Sequence, residues 1–110
     1  MASRSETLLP SAARTTGSQT SSFGGWGDTL QLRAQIDVTA ASGTSPNLTA
    51  FIEDTLDGTN WNVIGTFAAK TAAGREVISV TTPYADDIRV RWVITGTTPS
   101  FTFAVVTHGQ

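Results

Sequence analysis

A strict alternation of apolar and polar side chains constrains the fold of this chain more than any other feature. Residues 30–38 place apolar side chains at every even position, and residues 88–94 repeat the pattern around Arg89 and Arg91. A period of two residues is typical of a strand with one buried face. Such segments recur along the chain at intervals of about ten residues, with turn residues between them and without a helical period. The sequence therefore predicts an all-β fold: a single-domain antiparallel β-sandwich or barrel.

A short motif occurs twice and predicts how the strands connect. Residues 42–52 read SGTSPNLTAFI, and residues 95–105 read TGTTPSFTFAV. Glycine adopts positive φ without a steric penalty, and proline is tolerated at the first position of a strand. We therefore expect each copy to form the turn of a hairpin. Either an internal duplication or the same turn chemistry used independently in two hairpins explains the repeat.

The first part of the chain differs in composition from the rest. Residues 1–27 are rich in Ser, Thr, Gly and Ala, with few apolar residues, whereas the alternating pattern begins at residue 28. We predict an extended, partly flexible N-terminal arm over residues 1–27 and a β-sandwich domain over residues 28–110. Parts of the arm could also pair as edge strands.

Composition argues against several functions. The chain has no cysteine, a single histidine and a net charge of -2. We expect no catalytic residues, no metal site and no cofactor, because His108 stands near the C-terminus and is predicted to be a solvated tail.

Asp57 and Gly58 predict a hairpin turn and do not fit a calcium loop. No basic cluster suggests nucleic acid as a partner, and no apolar run of about 20 residues predicts a membrane span. A secretion signal is also not expected.

The aromatic and arginine residues admit more than one interpretation. Trp92, Phe101 and Phe103 lie in alternating strands and are predicted to be core residues. Arg89 and Arg91 share one strand face, where they either pair with carboxylates on a neighbouring strand or bind an acidic partner surface.

Two stretches of the sequence resemble a known group of proteins. They read SFGGWGDTLQLRAQIDVTAASGTSPNLTAFIEDTLDGTNW and RVRWVITGTTPSFTFAVV. The order of their motifs resembles that of small virion proteins of tailed bacteriophages. An aromatic-glycine region comes first, followed by the Gly-Thr-x-Pro strand, the Asp-Gly-x-x-Trp hairpin and the closing Gly-Thr-x-Pro-Ser-Phe-Thr-Phe segment. The likeness covers residues 22–106, and Thr95 stands where the group has glycine.

The resemblance implies a function that composition and spacing do not. Such proteins resemble capsid decoration, or cement, proteins: β-rich modules, often trimeric, that bind the outer head shell where capsomers meet. It implies the major capsid protein and other copies of the chain as partners, assembly in the host bacterial cytoplasm and a final place on the outer capsid surface. The contact residues predicted on this basis, mostly in the N-terminal arm, are Leu8, Leu9, Arg14, Phe23, Trp26, Arg89 and Arg91.

Two alternatives stay open at this point. One is a connector or fibre component of a phage neck or tail. The other is a carbohydrate-binding β-sandwich in which Trp26, Trp61 and Tyr84 stack on sugar rings.

Overall fold

Six β-strands and one short 3-10 helix make up most of the computed structural model, which describes residues 3–110. All strand pairs are antiparallel, and the predicted all-β, single-domain fold is confirmed. No helix within residues 3–110 is long and apolar enough to cross a membrane. The strands are β1 (Arg4–Arg14), β2 (Ser18–Gln19), β3 (Leu32–Thr55), β4 (Trp61–Thr66), β5 (Gly74–Val80) and β6 (Asp87–Gly109), and the 3-10 helix spans Trp26–Asp28.

The strands β3 and β6 form the spine of the molecule, because they pair with each other over almost their whole length. The first half of β3 pairs on its other edge with β5, and the second half pairs with β4. The second half of β6 pairs with β1, and its first half pairs with β2. The sheet therefore has two four-stranded halves, β5-β3-β6-β1 and β4-β3-β6-β2.

The inner faces of the two halves pack on each other. Trp92 of the first half of β6 lies edge-on to Phe103 of the second half, with ring centroids 6.0 Å apart. Even positions of β3 on either side of its middle segment supply a single core, together with even positions in the first half of β6 and odd positions in its second half, as the alternation predicted. Phe101 is also fully buried, which confirms the three aromatic core predictions.

The predicted hairpin turns at the two Gly-Thr-x-Pro motifs are wrong. Both motifs lie inside continuous strands, in the middle of β3 and in the middle of β6, and Thr44 pairs with Thr97. Gly43 and Gly96 have φ values of 113° and 123°, so each motif bends its strand without reversing the chain. Register shifts on both sides of Thr44 mark this segment as a β-bulge.

The two motifs contact each other reciprocally. A Cβ added to Gly43 would lie 2.7 Å from the Thr98 carbonyl oxygen and 2.8 Å from Cα of Pro99. A Cβ added to Gly96 would lie 2.8 Å from the Ser45 oxygen and 3.0 Å from Cα of Pro46. The glycine of each copy thus makes room for the backbone of the other, so the repeat marks a pseudo-two-fold crossing.

The pseudo-symmetry extends to the outer strands. The Thr55–Trp61 pair closes the β3–β4 hairpin, and the His108–Ser5 pair occupies the corresponding place between β6 and β1. Both pairings then show a register shift a few residues further on. The strand β1 is therefore the structural counterpart of β4.

The N-terminal segment packs on the sheet, and β1 pairs as an edge strand, which is one of the two conformations that the sequence allowed. The strand β1 lies within the sheet, and Leu8 and Leu9 are buried in the core. Trp26 is fully buried as well, beneath the guanidinium of Arg4, which lies 4.0 Å from the ring centroid. Leu8, Leu9 and Trp26 therefore stabilise this chain's own core and are not exposed in this conformation.

Asp86 holds the segment in place near Trp26. Its carboxylate accepts hydrogen bonds from the backbone N–H groups of Gly25 at 3.1 Å and Gly27 at 3.0 Å. These bonds, followed by the charge of Arg4, lower the pKa of the Asp86 carboxyl.

Gly43→Ala should lower the free energy of unfolding by more than about 2 kcal/mol, because the new Cβ meets backbone atoms at a residue with positive φ. Gly58→Ala is the matched control, since Gly58 has φ of 82° but nothing within 4 Å of its Cβ position. That variant should lose only about 1 kcal/mol. Urea unfolding measures both, and equal losses would contradict the reciprocal packing.

Asp86→Asn should destabilise the protein at neutral pH and should make its stability depend less on pH under acidic conditions. A carboxyl whose pKa is lowered by folding stabilises the native state above its unfolded pKa, and this contribution is lost as the pH falls through the folded pKa. The wild type should therefore lose stability more steeply than the variant as the pH falls below about 4, the pKa of an unfolded aspartate. Melting temperatures measured across this pH range test the prediction, with Asp28→Asn as the control because Asp28 is exposed. Parallel plots of melting temperature against pH for wild type and Asp86→Asn would refute it.

Candidate interaction surface

Arg89 and Arg91 are held in place by one carboxylate. They lie on the outer face of β6, opposite Glu53 and Phe51 of β3. Arg89 donates from Nε to Oε1 of Glu53, and Arg91 donates from Nε to Oε2, both at 2.8 Å. The interpretation of cross-strand pairing with a carboxylate is therefore confirmed.

Each arginine also covers an aromatic ring. The guanidinium carbon of Arg89 lies 4.3 Å from the ring centroid of Trp61, and that of Arg91 lies 4.3 Å from the centroid of Phe51. Stacking of this kind fixes the plane of a guanidinium and adds a cation–π attraction. We call the surface formed by Phe51, Glu53, Trp61, Arg89 and Arg91 the arginine face.

The arginine face leaves hydrogen-bond donors available. The side chain of Glu53 is only 5% exposed, while those of Arg89 and Arg91 are 19% and 32% exposed. Within residues 3–110 the two arginines use Nε for their hydrogen bonds, so the Nη groups have no protein acceptor. Two cations against one carboxylate leave the trio with a charge of about +1. This arrangement can bind an acceptor of negative charge, such as a carboxylate on another protein.

Sequence reasoning identified the two arginines but did not name Glu53, Trp61 and Phe51 as their partners. The signal for two of them was present, because the alternation places Phe51 and Glu53 on the outer face of their strand. Trp61 follows the Asp-Gly turn, whose Asp57 accepts from the backbone N–H groups of Thr59 at 2.8 Å and Asn60 at 2.7 Å.

Arg14, another predicted contact residue, is used inside the molecule. It donates from Nη1 to the Phe103 carbonyl at 2.8 Å and from Nη2 to the Pro10 carbonyl at 2.7 Å. Its guanidinium carbon lies 4.9 Å from the Phe103 ring centroid, and burial lowers the pKa of Arg14. Arg14 therefore fastens the end of β1 to β6, and the structure does not bring it to the arginine face.

Phe23, the remaining predicted contact residue, is half-buried and bridges to β6. Its backbone N–H donates to the Ile88 carbonyl at 2.8 Å. Like Arg14, it lies in the segment that covers the sheet.

The three aromatic residues considered for sugar stacking do not form a common platform. Trp26 is fully buried, and one face of the half-buried Trp61 lies against the guanidinium of Arg89. Tyr84 is half-buried and its hydroxyl lies beside the Thr29 hydroxyl. Among residues 3–110, no group of three His, Asp or Glu side chains is arranged to hold a metal ion.

Comparison with known proteins shows similarity of fold to several solved structures. No protein-family model and no curated protein matches the sequence. The structure is similar to the PBSX exported protein XepA, with a TM-score of 0.66 and 17% identity over 96% of this chain and 36% of XepA. It is also similar to a structure of infectious bursal disease virus, Gx strain, with a TM-score of 0.60 and 15% identity over 97% of this chain and 31% of that one.

A third similar structure is a domain of nearly the same length. It is the CBM36-1 domain of a multidomain xylanase from the hindgut metagenome of Trinervitermes trinervoides, with a TM-score of 0.55 and 8% identity over 99% of this chain and 98% of that domain. The chain spans about a third of the length of the first two proteins. At these identities the similarities establish a shared β-sandwich fold.

Glu53→Gln should lower the free energy of unfolding by about 2 kcal/mol, because it leaves two neighbouring guanidiniums without their shared counter-charge. Glu6→Gln is the matched control, since Glu6 pairs with Arg4 at a site where both side chains are 33% exposed. The control should lose less than about 1 kcal/mol. Chemical denaturation of both variants checks this prediction, and it is wrong if Glu6→Gln costs as much as Glu53→Gln.

Proposed function

We propose that this protein is a structural virion protein that decorates and stabilises a tailed-phage capsid by binding the outer shell between capsomers. The observation that carries the proposal is the arginine face, where Arg89 and Arg91 are held rigidly while their Nη groups point to no internal acceptor. The ordered resemblance over residues 22–106 to tailed-phage virion proteins supports the same function. The fold shared with a structure of infectious bursal disease virus is compatible with it.

The arginine face suits a protein partner with an acidic surface. Glu53 and the two aromatic rings already restrict the guanidiniums, so binding an outside carboxylate costs little additional side-chain entropy. The partner in this proposal is the major capsid protein, presenting Asp or Glu side chains near the boundary between capsomers.

Many copies bound to one shell would resist internal pressure even if each contact were weak. A module that contacts two neighbouring capsomers adds binding free energy that must be overcome before they separate, and repeated sites act together. We also propose that the chain associates with itself, as a homotrimer, in line with the resemblance. Assembly would take place in the bacterial cytoplasm, and the final location would be the outer capsid surface.

Electron microscopy of assembled particles tests the function directly. Decoration predicts hundreds of copies on the head, placed at the boundaries between capsomers. A ring of six or twelve copies at the neck or tail would instead establish the connector alternative and overturn decoration. Sedimentation of the isolated protein and of the shell-bound protein tests the trimer separately.

Arg91→Gln should weaken binding to undecorated particles by about tenfold, because one charge-assisted contact is lost while Arg89 still neutralises Glu53. Arg75→Gln is the matched control, since Arg75 is an exposed arginine of β5 in the other half of the sheet. Co-sedimentation with particles gives the affinities, and circular dichroism verifies that both variants are folded. Equal weakening by the two substitutions would mean that general charge, and not the arginine face, drives binding.

A further inference from the structure

The second half of the sheet carries a depression that the proposed function does not use. It has a volume of about 290 Å³ and lies on the outer face of β5, β3 and β6. Its side-chain lining combines polar groups with two valines: Arg33, Gln35, Val77, Val106 and His108. We call this surface the His108 groove. It belongs to the half β5-β3-β6-β1, whereas the arginine face belongs to the half β4-β3-β6-β2.

Strand register aligns the groove residues in two rows across the sheet. Arg33 pairs with His108 on one side and with Ser79 on the other, and Ser5 of β1 continues this polar row. The adjacent row is half apolar and has Gln35 between two valines. Its members, with the residue of β1 that completes it, are Val77, Gln35, Val106 and Thr7.

His108 is not the solvated tail that its place in the sequence predicted. It lies within β6 and is half-buried, because β1 pairs along the very end of that strand. The Ser5 hydroxyl lies 2.8 Å from Nδ1 of His108. When this hydroxyl donates to Nδ1, the imidazole proton is on Nε2, which becomes a donor for a ligand.

Arg33 supplies an uncompensated positive charge beside this imidazole. It is exposed, and none of the ion pairs formed within residues 3–110 includes it. The other charged side chains on this face are Asp37 and Arg75, which occupy opposite positions of β3 and β5 further along the strands. A carboxylate in the groove would thus meet a free guanidinium and no competing acid in its row.

The two valines indicate that the part of the ligand outside its acid group has an apolar face. Val77 is 45% exposed and Val106 is half-buried, so they offer an aliphatic surface between the polar side chains. A volume of about 290 Å³ is close to the lower end of small-molecule sites, which begin at about 300 Å³. A single six-membered ring with one apolar face, several hydroxyls and one acid group satisfies all of these features.

We propose that the His108 groove binds a hydroxylated carboxylate of the uronic acid class. Arg33 binds the carboxylate, Gln35 and Nε2 of His108 hydrogen-bond to hydroxyls, and Val77 and Val106 contact the C–H face of the ring. This site is independent of capsid decoration, because it uses neither Arg89 nor Arg91.

Titration of the ¹⁵N-labelled full-length protein with glucuronate, observed by NMR, tests the site. We expect saturable shifts centred on Arg33, Gln35, Val77 and His108, with Kd in the range of about 1 mM. Glucose, which lacks the carboxylate, and acetate, which lacks the ring, should each bind at least about tenfold more weakly. No saturation by glucuronate up to about 50 mM, or shifts confined to the arginine face, would overturn the proposal.

Two substitutions distinguish binding in the His108 groove from a non-specific effect of the protein's charge. Arg33→Gln should weaken glucuronate binding by at least about tenfold, and the equally charged change Arg75→Gln by less than about twofold. Both residues are exposed, so both variants should fold normally. An affinity unchanged in Arg33→Gln, or lowered equally in Arg75→Gln, would also refute the site. Particle decoration is measured separately, so failure of one proposal does not depend on the other.

Discussion

The reciprocal contact between the two Gly-Thr-x-Pro segments is the constraint on which the rest of the structure depends. A regular strand of the 24 residues of β3 would extend about 80 Å, yet the longest dimension of the molecule is 44 Å. Because β3 and β6 are paired along almost their whole length, neither strand can bend unless the other bends at the same level. The pairing of Thr44 with Thr97 places both bends together, and Gly43 and Gly96 allow the two backbones to approach at that point. The bend brings Trp92 against Phe103 and so creates the core.

The same bend gives the molecule two separate outer faces. Each long strand contributes its first half to one face and its second half to the other, so residues near in sequence can serve different surfaces. The arginine face contains a carboxylate that is nearly fully buried and pairs with both arginines. Its charge is organised by internal pairing, whereas Arg33 in the His108 groove is free of any ion pair within residues 3–110. One surface thus has guanidiniums fixed by internal pairing, while the other is a depression that is lined by Arg33.

Alternation was sufficient to predict the fold class, the buried positions of β3 and β6 and the shared face of Arg89 and Arg91. It could not predict which strand would lie opposite Arg89, because register depends on bulges that have no period. The prediction for the Gly-Thr-x-Pro motif is wrong for a physical reason. A glycine with positive φ and a proline three residues later suit a hairpin turn and a strand bulge equally well. Leu8 and Leu9 illustrate a related limit. Adjacent residues of a regular strand face opposite sides, and both are buried here because the register of β1 shifts between Thr7 and Leu9.

The role of the N-terminal segment follows from the pseudo-symmetry. The strand β4 covers the edge of β3 in one half, and β1 covers the edge of β6 in the other, with Leu8 and Leu9 completing the core there. Arg14 fastens the middle of the segment, at the end of β1, and Asp86 fastens its last residues, both through hydrogen bonds to or from backbone groups. Releasing this segment to wrap around a partner would expose part of the core and remove the Ser5 hydroxyl from His108. The surfaces that remain outside once the segment is in place are the outer faces of the two halves and the loops between their strands.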